Sequence, residues 1–84
     1  MNSISTGPDF TINKSSLAIE IKLCPKVERE IEMIAEINDD ILAYKTKYNN
    51  ILFVIYDCGF IRDLDTFIEH FEKNENVIVK VVKH

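Results

Sequence analysis

Residues 9–23 read DFTINKSSLAIEIKL, and this stretch decides the fold because its apolar residues alternate with a period of two. In an extended chain successive side chains point to opposite faces. Leu17, Ile19, Ile21 and Leu23 therefore share one face, and Ala18, Glu20 and Lys22 share the other. Asp9 to Ile12 has the same extended character, and Asn13-Lys14-Ser15-Ser16 between the two segments is turn chemistry. A loop of those four residues gives an antiparallel hairpin in which Ile12 faces Leu17, Thr11 faces Ala18, Phe10 faces Ile19 and Asp9 faces Glu20. A two-residue loop or a bulge would move that register.

Working outward, Pro25 fits the entry to a helix. Val27, Ile31, Ile34, Ile37, Ile41, Tyr44 and Tyr48 keep helical spacing, which predicts one helix to about Tyr48 with a single buried stripe. Asn49-Asn50 ends it. The unbroken apolar run Ile51 to Tyr56 (ILFVIY) predicts a strand buried on both faces. Asp57-Cys58-Gly59 reads as its exit loop, followed by an amphipathic helix from about Asp63 to Lys73 that buries Leu64, Phe67, Ile68 and Phe71. Asn74-Glu75-Asn76 is a turn, and Val77 to Val82 a last strand, placed near an edge by Lys80 and Lys83. The order β-β-α-β-α-β defines an α/β fold: a mixed sheet flanked by helices, with an antiparallel hairpin and later strands made parallel by right-handed crossovers.

The 84 residues form a single domain, 1–84, whose first seven, small and polar, are expected to fray. An apolar fraction of 46% with two glycines and two prolines argues for a folded globule over a disordered tail. A chain this short buries only about 60–65% of its unfolded surface, and many such chains lean on a metal or a partner. Cys24 and Cys58 have neither CxxC nor zinc spacing and read as the reduced thiols of a cytoplasmic protein. No signal peptide and no membrane span is expected. The net charge of −4 has the wrong sign for a protein that coats nucleic acid by neutralising phosphates. Carboxylates that hold a metal count against that total, and a bound divalent ion reverses the local field.

Glu20 and Lys22 stand on a strand whose other face is wholly aliphatic. A solvated outer face explains an arbitrary E-x-K, but the predicted register sets Asp9 against Glu20. Like charges directly opposite on a hairpin destabilise it. A divalent cation between the two carboxylates supplies a reason for the arrangement, since Mg²⁺ is held by one or two carboxylates together with water and phosphate oxygens.

Pro8-Asp9, an eleven-residue step, then Glu20-Ile21-Lys22 resembles the PD-(D/E)XK signature of restriction-endonuclease-like nucleases, and it falls on the hairpin where that family carries it. The resemblance implies Asp9 and Glu20 as ligands of Mg²⁺, for which Mn²⁺ substitutes, with the backbone carbonyl of Ile21 assisting and Lys22 beside the attacking water. It implies hydrolysis of phosphodiester bonds in DNA, with Asp9, Glu20 and Lys22 as the catalytic set. Asp40-Ile41-Leu42-Ala43-Tyr44 is similar to the Q-x-x-x-Y helix element of RecB-like members with Asp for Gln, which makes Asp40 and Tyr44 candidate accessory residues. The run ILFVIYDCGFIRD is similar to the strand and loop of DpnII/MboI-type restriction enzymes. The family core opens with a helix before the hairpin, and Met1 to Gly7 is too short for one. The expectation is a core lacking its first helix: the C-terminal part of a larger nuclease, a homodimer whose second copy supplies the missing layer, or a domain that no longer cuts. A non-catalytic interaction or assembly module and a nuclease acting on RNA stay open as alternatives.

Outside this constellation, Lys26, Arg29, Lys45 and Lys47 interleave with Glu28, Glu30, Glu32 and Glu36 and read as a solvated helix face. Asp57 reads as a turn cap. His70 and His84 have no ligand spacing, and Cys24 has no base partner in sequence.

Overall fold

The computed structural model describes residues 7–83. Strand β1 (Phe10–Ile12) passes through a 3₁₀ turn at Asn13–Ser15 into β2 (Leu17–Cys24). Their antiparallel register pairs Phe10 with Ile19, Thr11 with Ala18 and Ile12 with Leu17, as the four-residue loop predicts. The Ser16 carbonyl accepts the amides of Asn49 and Asn50 at 2.9 and 3.0 Å, which ties the turn to the start of the next strand.

Helix α1 (Val27–Tyr44), strand β3 (Asn50–Asp57), helix α2 (Leu64–Glu72) and strand β4 (Val77–Lys83) complete the β-β-α-β-α-β order. The sheet runs β1-β2-β3-β4, with β2 to β3 and β3 to β4 parallel. Two right-handed crossovers stepping in one direction place both helices on the same face. Ala18, Cys24, Ile51, Phe53, Ile55, Val77 and Val79 are buried against them, with Met33, Ile37, Phe67 and Phe71 from the helices. Full burial of each large side chain stabilises the fold by about 1.5–3 kcal/mol before conformational entropy is set against it.

Three expectations are corrected. First, β3 is buried on one face only: Ile51, Phe53, Ile55 and Asp57 face the helices, while Tyr56 lies on the other face, 45% exposed. That uncovered face also carries Phe10, Ile12, Ile21, Leu23, Ile78 and Val82, each 41–58% exposed. Among the described residues both helices lie on the opposite face and none covers this one. Second, the buried stripe of α1 is Glu30, Met33, Ile37, Ile41 and Tyr44, and Val27 and Ile31 turn outward. The cause lies in β2, where Lys22 sits beneath the helix and draws Glu36 and Asp40 toward it. Third, the helix ends at Tyr44; Tyr48 lies just past a turn over residues 45–47, its amide on the Tyr44 carbonyl at 2.8 Å and its ring edge-on to Tyr44.

The loops are closed by side chains. Asp63 caps α2, accepting from the Thr66 amide at 3.1 Å and its hydroxyl at 2.9 Å. Fully buried Asp57 caps the exit of β3, its Oδ1 accepting the amides of Gly59, Phe60 and Ile61 at 2.9, 2.8 and 3.2 Å. Gly59 has φ of +97°, which a side chain would resist. Cys24 and Cys58 are free thiols, Cys24 buried.

Candidate functional site

Because β1 is short, the edge of β2 beyond Ile19 is open. Asp9, one residue before β1, sits across from Glu20 at this edge. Its amide donates to Glu20 Oε1 at 3.1 Å, and its own Oδ2 accepts the Ile21 amide at 2.8 Å. The hairpin thus brings Asp9 and Glu20 together as the register predicts. In a strand the N–H and C=O of one residue project to the same side, so the Ile21 carbonyl faces this edge as well. The Ile21 side chain points away, onto the uncovered face.

Glu20 and Lys22 do not lie on a solvated face. They point under α1, their side chains only 14% and 10% exposed. Lys22 Nζ stands 2.9 Å from Asp40 Oδ2, 3.2 Å from Glu36 Oε1 and 3.5 Å from Glu20 Oε2. Burial opposes its charge, but Asp40, Glu36 and Glu20 outweigh that and hold the ammonium above the usual lysine range. Burial first, and the charge of Asp9 second, push the Glu20 carboxyl above the ordinary carboxylate range against the pull of Lys22. Tyr44 closes the site from α1. Burial, then the negative charges of Asp40, Glu20 and Asp9, push its phenol upward, and a hydrogen bond to Glu20 adds to this. Asp40 and Tyr44 are therefore both at the site.

Sequence reasoning missed two residues. Arg29 and Glu36, assigned to a solvated helix face, form a two-pronged pair at 2.6 and 2.9 Å that also reaches Lys22. Arg29 holds the Glu36 carboxyl down to about 2, with Lys22 contributing and burial opposing. Their spacing was the available signal: 29, 36 and 40 follow one helical line beside the buried stripe. Glu30, on the same supposed face, is buried and meets Arg62 at 3.6 Å.

The donor set fits a hard divalent cation. Two carboxylates converge, one of them desolvated and repelled by the other, with an outward carbonyl beside them. Among the described residues no group of three or more Asp, Glu, His or Cys side chains is placed to hold a metal ion, so side chains alone would give a cation only these two carboxylates. A cavity of about 520 Å³ lies elsewhere, between α1 and α2, lined by Glu30, Ile34, Arg62, Phe67 and Phe71 among others. It shares no residue with the acidic edge.

A hairpin bearing paired carboxylates and a lysine, continued by α-β-α-β into a mixed sheet, defines a restriction-endonuclease-like nuclease fold. The family model for DpnII-MboI restriction endonucleases matches residues 2–84, and the chain belongs to that family. The family is one of DNA endonucleases, which makes DNA the substrate class. No curated protein and no solved structure matches the chain. Among the described residues no helix is long and apolar enough to cross a membrane.

Proposed function

We propose that the chain hydrolyses phosphodiester bonds in DNA with the help of Mg²⁺ or Mn²⁺ held by Asp9, Glu20 and the Ile21 carbonyl. The observation that carries this reading is the meeting of Asp9 and Glu20 at an open strand edge, with the Lys22 ammonium 3.5 Å from Glu20. A bound cation supplies charge neutralisation at the phosphate and lowers the pKa of water. The protein's own groups do the rest. The Ile21 amide fixes the Asp9 carboxylate, and the Asp9 amide fixes that of Glu20. Lys22, kept charged by its carboxylate partners, donates to the attacking water or to a phosphate oxygen and stabilises the pentacovalent transition state. Tyr44 and Asp40 limit the freedom of Glu20 and Lys22 from above.

Asp9→Ala, Glu20→Ala and Lys22→Ala are each expected to abolish Mg²⁺-dependent cleavage of duplex DNA while circular dichroism stays unchanged. Cleavage that survives all three would exclude this site. Calorimetric titration with Mn²⁺ separates the nuclease from a non-catalytic module: heat of binding that disappears in Glu20→Ala supports the nuclease. The sheet face left uncovered among the described residues supports a homodimer in which the two copies bury that face together.

A further inference from the structure

We propose that Arg29 and Glu36 are positioning residues that hold the Lys22 ammonium at the acidic edge, an inference that rests on the nuclease reading above for its catalytic consequence alone. Three carboxylates contact Lys22, and they are not equivalent. The loosest contact, 3.5 Å, is to Glu20, the carboxylate that the cation would also claim. The two shorter ones come from α1, through Asp40 at 2.9 Å and Glu36 at 3.2 Å, one helical turn apart. Lys22 is therefore anchored to the helix, not to its own strand, and keeps that anchor when Glu20 is drawn elsewhere.

Glu36 by itself is a poor anchor. Its side chain is 43% exposed, and a carboxylate that open to water holds a lysine weakly and samples other rotamers. Arg29 removes that freedom. Its Nη1 and Nη2 take both Glu36 oxygens, at 2.6 and 2.9 Å, and its Nε donates to the Leu23 carbonyl at 3.3 Å. The contacts form a closed ring: from the Leu23 carbonyl to Arg29, on to Glu36, on to Lys22, and back along one peptide unit of β2. Such a ring fixes the end of a long, flexible side chain to the strand that carries it. It needs the planar, three-pronged donor pattern of arginine, which a lysine ammonium does not reproduce.

The test compares Arg29→Lys, Arg29→Met and Glu36→Gln with the wild-type chain in two measurements. The first is the ¹H–¹⁵N correlation of lysine ammonium groups without metal, assigned through Lys22→Arg. A sharp Lys22 signal is expected in the wild type and its loss by exchange in all three variants, with backbone amide spectra otherwise native. The second is single-turnover cleavage of duplex DNA at saturating Mn²⁺. The maximal rate is expected to fall on the order of 10–100-fold, as for a misplaced catalytic group, with the Mn²⁺ dissociation constant unchanged because Asp9 and Glu20 are intact. A Lys22 signal unaltered in folded Arg29→Met and Glu36→Gln overturns the proposal. So does full rescue by Arg29→Lys. A wild-type chain that does not cleave DNA strikes the nuclease reading instead and leaves the spectroscopic result to decide the positioning role.

Discussion

Glu20→Gln should stabilise the metal-free protein and at the same time remove its response to metal. The Glu20 side chain is 14% exposed, and burial followed by the neighbouring charge of Asp9 disfavours its ionised form. Its counterweight, Lys22 at 3.5 Å, retains Asp40 and Glu36 when the charge on Glu20 is gone. Relief of a like-charge pair opposed across a hairpin contributes about 0.2–1 kcal/mol. In a domain this small, that raises the melting temperature by about 1–8 °C. The sign follows from the direction of the pKa shift. A carboxyl whose folded-state pKa is raised costs nothing at low pH, where it is protonated in both states. The cost sets in as pH climbs through the ordinary carboxylate range, and is constant above the raised value. The advantage of the variant should therefore be present at neutral pH and vanish on acidification. Metal should reverse the ranking. At ten times its dissociation constant Mn²⁺ would stabilise the wild type by about 1.4 kcal/mol, or roughly 6–11 °C, and should leave the variant unmoved. Thermal melts followed by circular dichroism across a Mn²⁺ titration would show the two curves crossing. A variant that melts below the wild type without metal, or that responds to Mn²⁺ as the wild type does, would refute the reasoning.

Asp57→Ala strands the amides of Gly59, Phe60 and Ile61 and should cost about 1–3 kcal/mol in urea unfolding; an unchanged midpoint would mean that water replaces the carboxylate freely. Glu36, held down to about 2 by Arg29, contributes stability that is present above the ordinary glutamate pKa and lost as pH falls toward 2. Glu36→Gln should therefore flatten the acid limb of a melting-temperature profile, and an acid limb identical to wild type would count against the pair. On the uncovered sheet face, Ile78→Glu should leave the fold intact and convert a dimer to monomer in sedimentation velocity. A wild-type chain that sediments as a monomer at high concentration would exclude the dimer.

The hairpin was legible in the sequence because local chemistry sets its register. A four-residue loop at residues 13–16 combined with the two-residue alternation gives one pairing, and the structure has it, where a shorter loop or a bulge would have moved it. The order of elements was legible for the same reason. What could not be read was the rotation of α1 and the fate of the second sheet face. Periodicity places Val27 and Ile31 in the helix stripe and leaves Glu30 outside it, because it counts apolar residues and is blind to a lysine on another element. Only when β2 sets Lys22 under α1 does the helix turn Glu36 and Asp40 inward, at the expense of Val27 and Ile31. Arg29 and Glu36 were misread through the same blindness: alternating charges on a helix look solvated until a third partner appears. The ILFVIY run misled differently, since an apolar strand records what its face requires and not whether this chain supplies it.

On the proposed function, the two faces of β2 would separate assembly from chemistry while keeping them mechanically connected. Glu20 and Lys22 project toward α1, whereas Ile19, Ile21 and Leu23 project to the uncovered side. A partner laid on that side therefore leaves the acidic edge open to a phosphodiester. Yet Phe10 and Ile21, both on the uncovered face, are immediate neighbours of Asp9 and Glu20. β1 pairs with β2 through three residues, and the segment that carries Asp9 is held beyond them by its two hydrogen bonds to Glu20 and Ile21. Burying Phe10 against a partner would hold that segment by its apolar side and fix Asp9 opposite Glu20. The pairing of the two carboxylates would then be most sharply defined in the assembled protein.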